Sequence, residues 1–238
     1  MDNKDVTIVT GASKGIGRAI ALRFAKEGHN VVPFGRNLDD LRNVLSELKE
    51  LGSDSTFYAG DVGDTHFVNH AVKDILNKYG KVNHLINNAG FGILKNFVDS
   101  SIDEFKSQID TNLFGVYNFT KAVVDNMIKR KSGSIIMISS LAGKNNFVGG
   151  TMYSSSKHAL MGFSKSLFLE LREYNIRVAT VCPGSVDTDF NPNRKQREDN
   201  EMDKILHADD VAEVVYSIIK MPIRALISDI DIRPTNPK

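Results

Sequence analysis

The chain carries one cysteine in 238 residues, so no disulfide can form within it, and a reducing compartment suits such a chain. That residue, Cys182, falls in an apolar stretch directly before Pro183-Gly184, where a buried, inert thiol is expected. Net charge is almost absent as well. Thirty Lys and Arg against 29 Asp and Glu leave +1, which argues against a nucleic-acid-binding surface. The basic cluster Arg194-Lys195-Arg197 is diluted by adjacent acids and does not change that reading. No apolar run reaches the ~18–20 residues of a membrane helix. The first strand pattern starts within a few residues of Met1, leaving no room for a signal peptide, so a cytoplasmic location is expected. Repeats and an interdomain linker are missing. So is metal-ligand spacing: His66 and His70 stand at i and i+4, a spacing that can hold a metal, but no acidic or cysteine partner sits at a recognisable metal-ligand spacing, and no metal is expected.

What is present is alternation. Short apolar, β-branched runs at 6–10, 30–34, 55–59, 82–86, 133–138, 176–182 and 225–232 read as strands. Helical periodicity occupies 18–26, 38–51, 67–79, 103–130, 153–174 and 209–220, with Leu41, Val44, Leu45 and Leu48 as the buried stripe of the second helix. This order implies a single α/β domain over 1–238: a doubly wound, Rossmann-type, mostly parallel sheet of about seven strands with helices on both faces. The polar stretch within 185–207 is expected to form a substrate lid.

Ligands in such sheets sit at the carboxyl ends of the strands, and the unusual residues of this chain fall there. The first strand runs into Gly11-Ala12-Ser13-Lys14-Gly15-Ile16-Gly17 and then a helix. Glycines let a backbone approach a pyrophosphate, and a helix N-terminus offers free amides and a favourable dipole. The second strand ends in Gly35-Arg36, where NAD sites place an acid for the ribose. The missing carboxylate, with Lys14 and Arg36 nearby, suits the 2′-phosphate of NADP(H) rather than NAD(H). Asp61, followed by Val62, comes at the end of the third strand, where spacing alone suits equally an adenine contact and a turn-forming Asp.

Tyr153 and Lys157 stand at i and i+4 near the start of a long helix and so share one face. A free tyrosine titrates near ~10, too high for acid–base work at neutral pH. A neighbouring cation lowers that value, although reaching roughly 7 takes about 4 kcal/mol and a second positive charge such as an oxidised nicotinamide. Asn112 in mid-helix is unfavourable by propensity and hints at a local role.

These residues together resemble the short-chain dehydrogenase/reductase family over nearly the whole chain. The resemblance rests on Thr10-Gly-x-x-x-Gly-Ile-Gly17, Asn87-Asn88-Ala89-Gly90, Tyr153-x-x-x-Lys157 with Ser140 ahead of it, and Pro183-Gly184. It implies a catalytic tetrad of Asn112, Ser140, Tyr153 and Lys157. It also implies cofactor contacts from Gly11, Ser13, Lys14, Gly15, Ile16, Gly17, Arg36, Asp61 and Val62 in the first half of the chain. Further contacts are implied from Asn88, Ala89, Gly90, Tyr153, Lys157, Pro183, Gly184, Val186 and Thr188. The implied reaction is hydride transfer from NADPH to a ketone or aldehyde, reversibly, with Tyr153 as general acid/base. Within the family, the Gly-Ile-Gly-Arg-Ala-Ile and Gly-Phe-Ser-Lys-Ser-Leu runs resemble 3-oxoacyl-(acyl-carrier-protein) reductases, so an acyl thioester is one candidate substrate. The ending Ile227 to Thr235 is more like the carbonyl reductase branches. A catalytically silent, cofactor-binding regulator is the alternative, against which the intact tetrad weighs. Family members pair through two long helices, here 103–130 and 153–174, implying a homodimer or homotetramer to which Phe114, Phe119, Phe163 and Phe168 could contribute.

Overall fold

The computed structural model describes residues 4–190 and 204–236. Its centre is a seven-stranded sheet in the order β3-β2-β1-β4-β5-β6-β7, paired parallel throughout. The strands are β1 (Val6–Thr10), β2 (Asn30–Gly35), β3 (Tyr58–Ala59), β4 (His84–Asn87), β5 (Gly133–Ile138), β6 (Ile176–Pro183) and β7 (Asp229–Ile232). Every residue of β1, β2, β4 and β6 is buried. Burial on both faces explains why these strands read as mainly apolar runs instead of alternating ones.

Helices α1 (Gly15–Lys26), α2 (Leu38–Glu50) and α7 (Ala208–Lys220) cover one face. They press Ile20, Phe24, Val44, Leu48, Val211 and Val215 against Val9, Ile86 and Val181. Helices α3 (Thr65–Tyr79), α5 (Gly115–Arg130) and α6 (Thr151–Leu171) cover the other face. There Val68, Ile75, Val116, Phe119 and Leu160 meet Ile8, Leu85, Ile135 and Val178. Adjacent residues such as Ile8 and Val9 serve opposite layers because side chains alternate along a strand. Each fully buried Leu, Ile or Phe contributes about 1.5–3 kcal/mol by leaving water.

Several expectations change in the structure. The helix expected at 103–130 is two helices, α4 (Ile102–Ile109) and α5, joined by a widened π turn at Asp110–Phe114. Helix α4 has its own start, since the Ser101 hydroxyl accepts from the Glu104 amide and the Glu104 carboxylate accepts from the Ser101 amide. The third strand shrinks to two residues, and Ser55, expected to open it, instead bonds the Ser53 hydroxyl at 2.6 Å. Ser53 Oγ accepts from the Val31 amide at 3.0 Å and donates to the His29 carbonyl at 2.8 Å, bonds that replace a ladder. The last strand begins at Asp229 rather than 225. Phe119 is fully buried and cannot form an association face, whereas Phe114 is half exposed and Phe163 and Phe168 pack partly against the core. Leu45 is only partly buried on α2. The polar residues 191–203, and with them Arg194, Lys195, Arg197 and most of the expected lid, lie outside the described residues. Among the described residues no helix is long and apolar enough to cross a membrane.

At the amino end of the sheet, away from the glycine-rich turn, His29 and His84 are buried side by side with ring centroids 5.4 Å apart. His29 Nδ1 bonds Thr7 Oγ1 at 3.0 Å, and His84 Nε2 lies 3.5 Å from Asp5 Oδ2. Burial, reinforced by His84, pushes the His29 pKa down to about 4, and burial also lowers that of His84. An unfolded histidine binds its proton near 6.5, so between about 6.5 and 4 the unfolded chain holds more protons than the folded one. Stability therefore falls as pH drops through that window. The Asp5 carboxyl is held low by its His84 hydrogen bond, so its own contribution is lost only below the window. Thermal melts from pH 7 to 4.5 should show a falling Tm, with a shallower fall in His29→Gln. An unchanged slope in that variant would remove His29 from the account.

Candidate active site

Strands β1 and β4 lie side by side although β2 and β3 separate them in the chain, so the strand order reverses between them. A crevice opens at such a switch point, outside the carboxyl ends of the strands. The turn leaving β1 is locked to the segment leaving β4. Thr10 Oγ1 accepts from the Asn88 and Ala89 amides, both at 3.0 Å, and Asn88 Nδ2 donates to the Thr10 and Gly11 carbonyls at 3.0 and 3.1 Å. These bonds bring the backbones too close for side chains. A Cβ on Gly11, whose φ is +63°, would lie 2.8 Å from Ala89 Cα, and one on Gly17 would lie 2.2 Å from the Gly11 carbonyl oxygen. Lys14 caps α1 with extended backbone and no side-chain bond, leaving first-turn amides for an anion.

Over this turn opens a cavity of about 760 Å³. Every residue expected at the site lines it except Gly17 and Asn112, which act from behind the wall. At one end stand Ser13, Lys14, Arg36 and Asp61. Gly35 keeps this end open, since a Cβ there would press on Ser13 at 3.3 Å. Arg36 is exposed beside it, and Asn37 turns away to cap α2, accepting from the Asp39 and Asp40 amides. Lys14 pairs with Asp189 at 3.4 Å; both are well exposed, so the pair is weak and easily exchanged for another anion. Asp61 Oδ1 accepts from the Gly63 amide at 2.8 Å, which fixes the turn after β3.

At the other end are Ser140, Tyr153 and Lys157. Ser140 opens the short turn Leu141–Gly143 after β5, its hydroxyl accepting from the Ala142 amide at 3.1 Å. Tyr153 and Lys157 project from the first turns of α6, both buried. Lys157 Nζ donates to the Ile138 carbonyl at 3.0 Å and lies 5.8 Å from the centre of the Tyr153 ring. Asn112 sits in the π turn. Its Nδ2 donates to the Phe91 carbonyl at 2.9 Å and to Ser156 Oγ at 3.0 Å, and its Oδ1 accepts from the Phe91 amide at 3.0 Å. Ser156 Oγ donates onward to the Tyr153 carbonyl at 2.8 Å. The mid-helix Asn thus ties the β4 loop to the helix that carries Tyr153, and the π turn is what aims it there.

The electrostatics differ from the sequence expectation. Burial pushes the Tyr153 phenol up to about 12, with the Ser140 hydrogen bond pulling the other way. Burial also brings the Lys157 ammonium down to about 8. Burial outweighs any pull from the lysine, whose Nζ bonds the Ile138 carbonyl and lies 5.8 Å from the ring centre. Cys182 behaves as expected: buried, its Sγ 3.7 Å from Met161 Sδ, with burial raising its thiol to about 11.

A family model described as short chain dehydrogenase matches residues 5–199, most of the chain. The chain belongs to the short-chain dehydrogenase/reductase family. Among its relatives, the 3-oxoacyl-[acyl-carrier-protein] reductase FabG of Chlamydia muridarum is 38% identical over 195 residues, covering 82% of this chain and 79% of that one. Oxidoreductase UcpA of Salmonella typhimurium is 41% identical over 184 residues, 76% of this chain and 69% of that one. The alcohol dehydrogenase of the archaeon Thermococcus sibiricus, solved with 5-hydroxy-NADP, superposes with a TM-score of 0.91 at 28% identity over 99% of both chains. A single-site variant of actinorhodin polyketide ketoreductase, solved with NADPH, gives 0.90 at 30% identity, covering 100% of this chain and 99% of that one.

Sequence reasoning missed several residues that the fold brings to this candidate site. Ser156 is fully buried and bridges Asn112 to α6, yet a serine inside a Ser-rich helix start gives no signal of its own. Phe91, Leu94, Phe147 and Phe190 line the cavity from three loops that only the fold brings together. The glycine cradle gives a direct test. Gly17→Ala forces a backbone shift, so about 1–3 kcal/mol of stability, or several degrees of Tm, should be lost together with dinucleotide binding. A variant with normal Tm and binding would show that the close approach is not required.

Proposed function

We propose that the protein is an NADP(H)-dependent reductase that converts a ketone or aldehyde to an alcohol, reversibly. The observation that carries this reading is the shared cavity: a side-chain-free cradle and two cationic residues at one end, Ser140, Tyr153 and Lys157 at the other. The residues fit a dinucleotide. Gly11 and Gly17 leave room for a pyrophosphate at the N-terminus of α1, and Lys14 and Arg36 suit a 2′-phosphate where Gly35 replaces an acid. Asp61 and Val62 would hold the adenine end, and Gly90, Pro183, Gly184, Val186 and Thr188 the nicotinamide end. When bound, NADPH supplies the hydride.

The chain's own residues do the rest. Ser140 donates a hydrogen bond to the substrate oxygen and stabilises the negative charge that builds on it. Tyr153, protonated at neutral pH because burial holds its pKa high, gives its proton to that oxygen and completes the alcohol. Lys157, its Nζ 5.8 Å from the centre of the Tyr153 ring, eases the phenolate left behind once that Nζ swings from the Ile138 carbonyl toward the phenol. Asn112, through Ser156 and Phe91, positions Tyr153 and the loop opposite it. For the alcohol to be oxidised, Tyr153 must first lose its proton against the cost of burial. The positive ring of the oxidised cofactor adds the second cation that Lys157 alone does not provide.

A 3-oxoacyl thioester remains a candidate substrate, supported by the 38% identity to a protein named as a 3-oxoacyl-[acyl-carrier-protein] reductase. We further propose a cytoplasmic, homo-oligomeric enzyme, pairing through the faces of α4–α5 and α6 that leave Phe114, Tyr117 and Leu169 about half exposed.

NADPH consumption with acetoacetyl thioester beside a panel of aldehydes and ketones tests the reaction. Turnover of any of these is expected, and Tyr153→Phe should lower it roughly 10²–10⁴-fold while NADPH still binds. NADPH binding without turnover of any carbonyl, and no change in the variant, would overturn the enzyme reading. Arg36→Asp should weaken NADPH use about 10- to 100-fold by removing a charge-assisted bond and leave NADH use nearly unchanged. Equal losses for both would remove the 2′-phosphate from the argument.

A further inference from the structure

The cavity divides by charge. Its described charged residues are Lys14, Arg36, Asp61, Asp189 and Lys157. Lys14 and Asp189 pair with each other, Arg36 and Asp61 follow β2 and β3, and Lys157 is turned to the Ile138 carbonyl. Around the Tyr153 end the described lining is Phe91, Leu94, Leu141, Phe147 and Phe190, with the neutral Asn145 and Asn146. Leu94, Phe147 and Phe190 are 44%, 46% and 42% exposed, large apolar side chains held open to solvent at the mouth of a cavity. Exposed apolar surface of this kind is costly to keep and marks a binding site when it rims a pocket.

Two of these rings are seated on glycine backbone. A Cβ on Gly92 would lie 3.0 Å from the Phe190 ring and 3.2 Å from the Tyr153 ring, and one on Gly150 would lie 2.7 Å from the Phe147 ring. The absent side chains let Phe190 come within 5.5 Å of Tyr153, centroid to centroid, and let Phe147 lie over the residue that precedes α6. Phe190 is thus held beside the phenol, and Phe147 over the start of the helix that carries it.

We propose that Phe147 and Phe190, seated on Gly150 and Gly92, form an apolar subsite with Leu94 and Phe91 that selects a neutral carbonyl compound carrying an alkyl or aryl tail. This deepens the reductase reading and rests on it. The carbonyl lies at Ser140 and Tyr153, and the tail runs outward between the two rings. A carboxylate on that tail would lose its water and, among the described lining residues at this end, find one cation, Lys157, whose Nζ is turned to the Ile138 carbonyl.

The test uses matched probes. 2-Butanone, 2-octanone and 7-oxooctanoate, the last two differing in a terminal methyl against a carboxylate, are compared by NADPH oxidation. Each fully buried methylene is worth roughly fourfold, so with about two to three of the four extra methylenes of 2-octanone buried, its kcat/KM should exceed that for 2-butanone by roughly 10- to 100-fold, and 7-oxooctanoate should fall to the 2-butanone level or below. In the Phe147→Ala/Phe190→Ala double variant the 2-octanone to 2-butanone ratio should shrink by about tenfold. Equal use of 7-oxooctanoate, or a ratio that survives loss of both rings, overturns the subsite. A second measurement does not depend on turnover: saturation-transfer NMR on Tyr153→Phe loaded with NADP+. If no ketone is reduced but 2-octanone binds and 7-oxooctanoate does not, the subsite stands and the reductase reading fails. If neither binds, or both bind alike, the subsite is overturned.

Discussion

Everything at the carboxyl edge of the sheet depends on how closely the backbone after β1 approaches the backbone after β4. Thr10 and Asn88 satisfy four polar groups of those two segments with one another, so the approach leaves none of them unpaired. The glycines are then a steric necessity: at Gly17 a single added carbon would sit 2.2 Å from the Gly11 oxygen, far inside van der Waals contact distance. Because this contact joins strands that are neighbours in space and not in sequence, it also sets where the crevice opens. Asn88 illustrates the point. Its side chain faces the turn it holds, and it shapes the cradle by bonding the Thr10 and Gly11 carbonyls.

The second constraint is the position of Asn112. The widened turn at 110–114 gives up regular α-helical hydrogen bonding to swing one amide inward. That amide makes three bonds, two to the Phe91 backbone and one to Ser156, so the polar group is fully used in a place where an unpaired one would cost about 1–3 kcal/mol. The bonds join the β4 loop to α6, and through Ser156 they reach the backbone of Tyr153. Positioning of the phenol therefore comes from a network that spans three elements, and its proton affinity comes from burial. Burial favours the neutral phenol, which suits proton donation.

Much of this was legible in the residues. The alternation of strand and helix patterns gave the doubly wound sheet because buried parallel strands must be apolar on both faces, and the motifs fell at strand ends because irregular residues are tolerated only there. Helix α2 and the start of α4 follow from local chemistry, an Asn cap and a Ser-x-x-Glu box, that acts within a few residues. The third strand and the 103–130 helix were misjudged for one reason: in each, side-chain hydrogen bonds to distant backbone outweighed local propensity, at Ser53 with β2 and at Asn112 with the β4 loop.

The sequence by itself determined the order of elements, the glycine-rich turn, the Tyr153–Lys157 face and the basic residue after β2, all features set by spacing within one or two turns. Only the tertiary structure decided the direction in which the Tyr153 pKa moves, the bridging role of Ser156, and the meeting of Phe91, Leu94, Phe147 and Phe190 at one mouth. Those depend on desolvation and on loops that follow three different strands. Such contacts arise from how the sheet is wound, and no spacing along the chain encodes them.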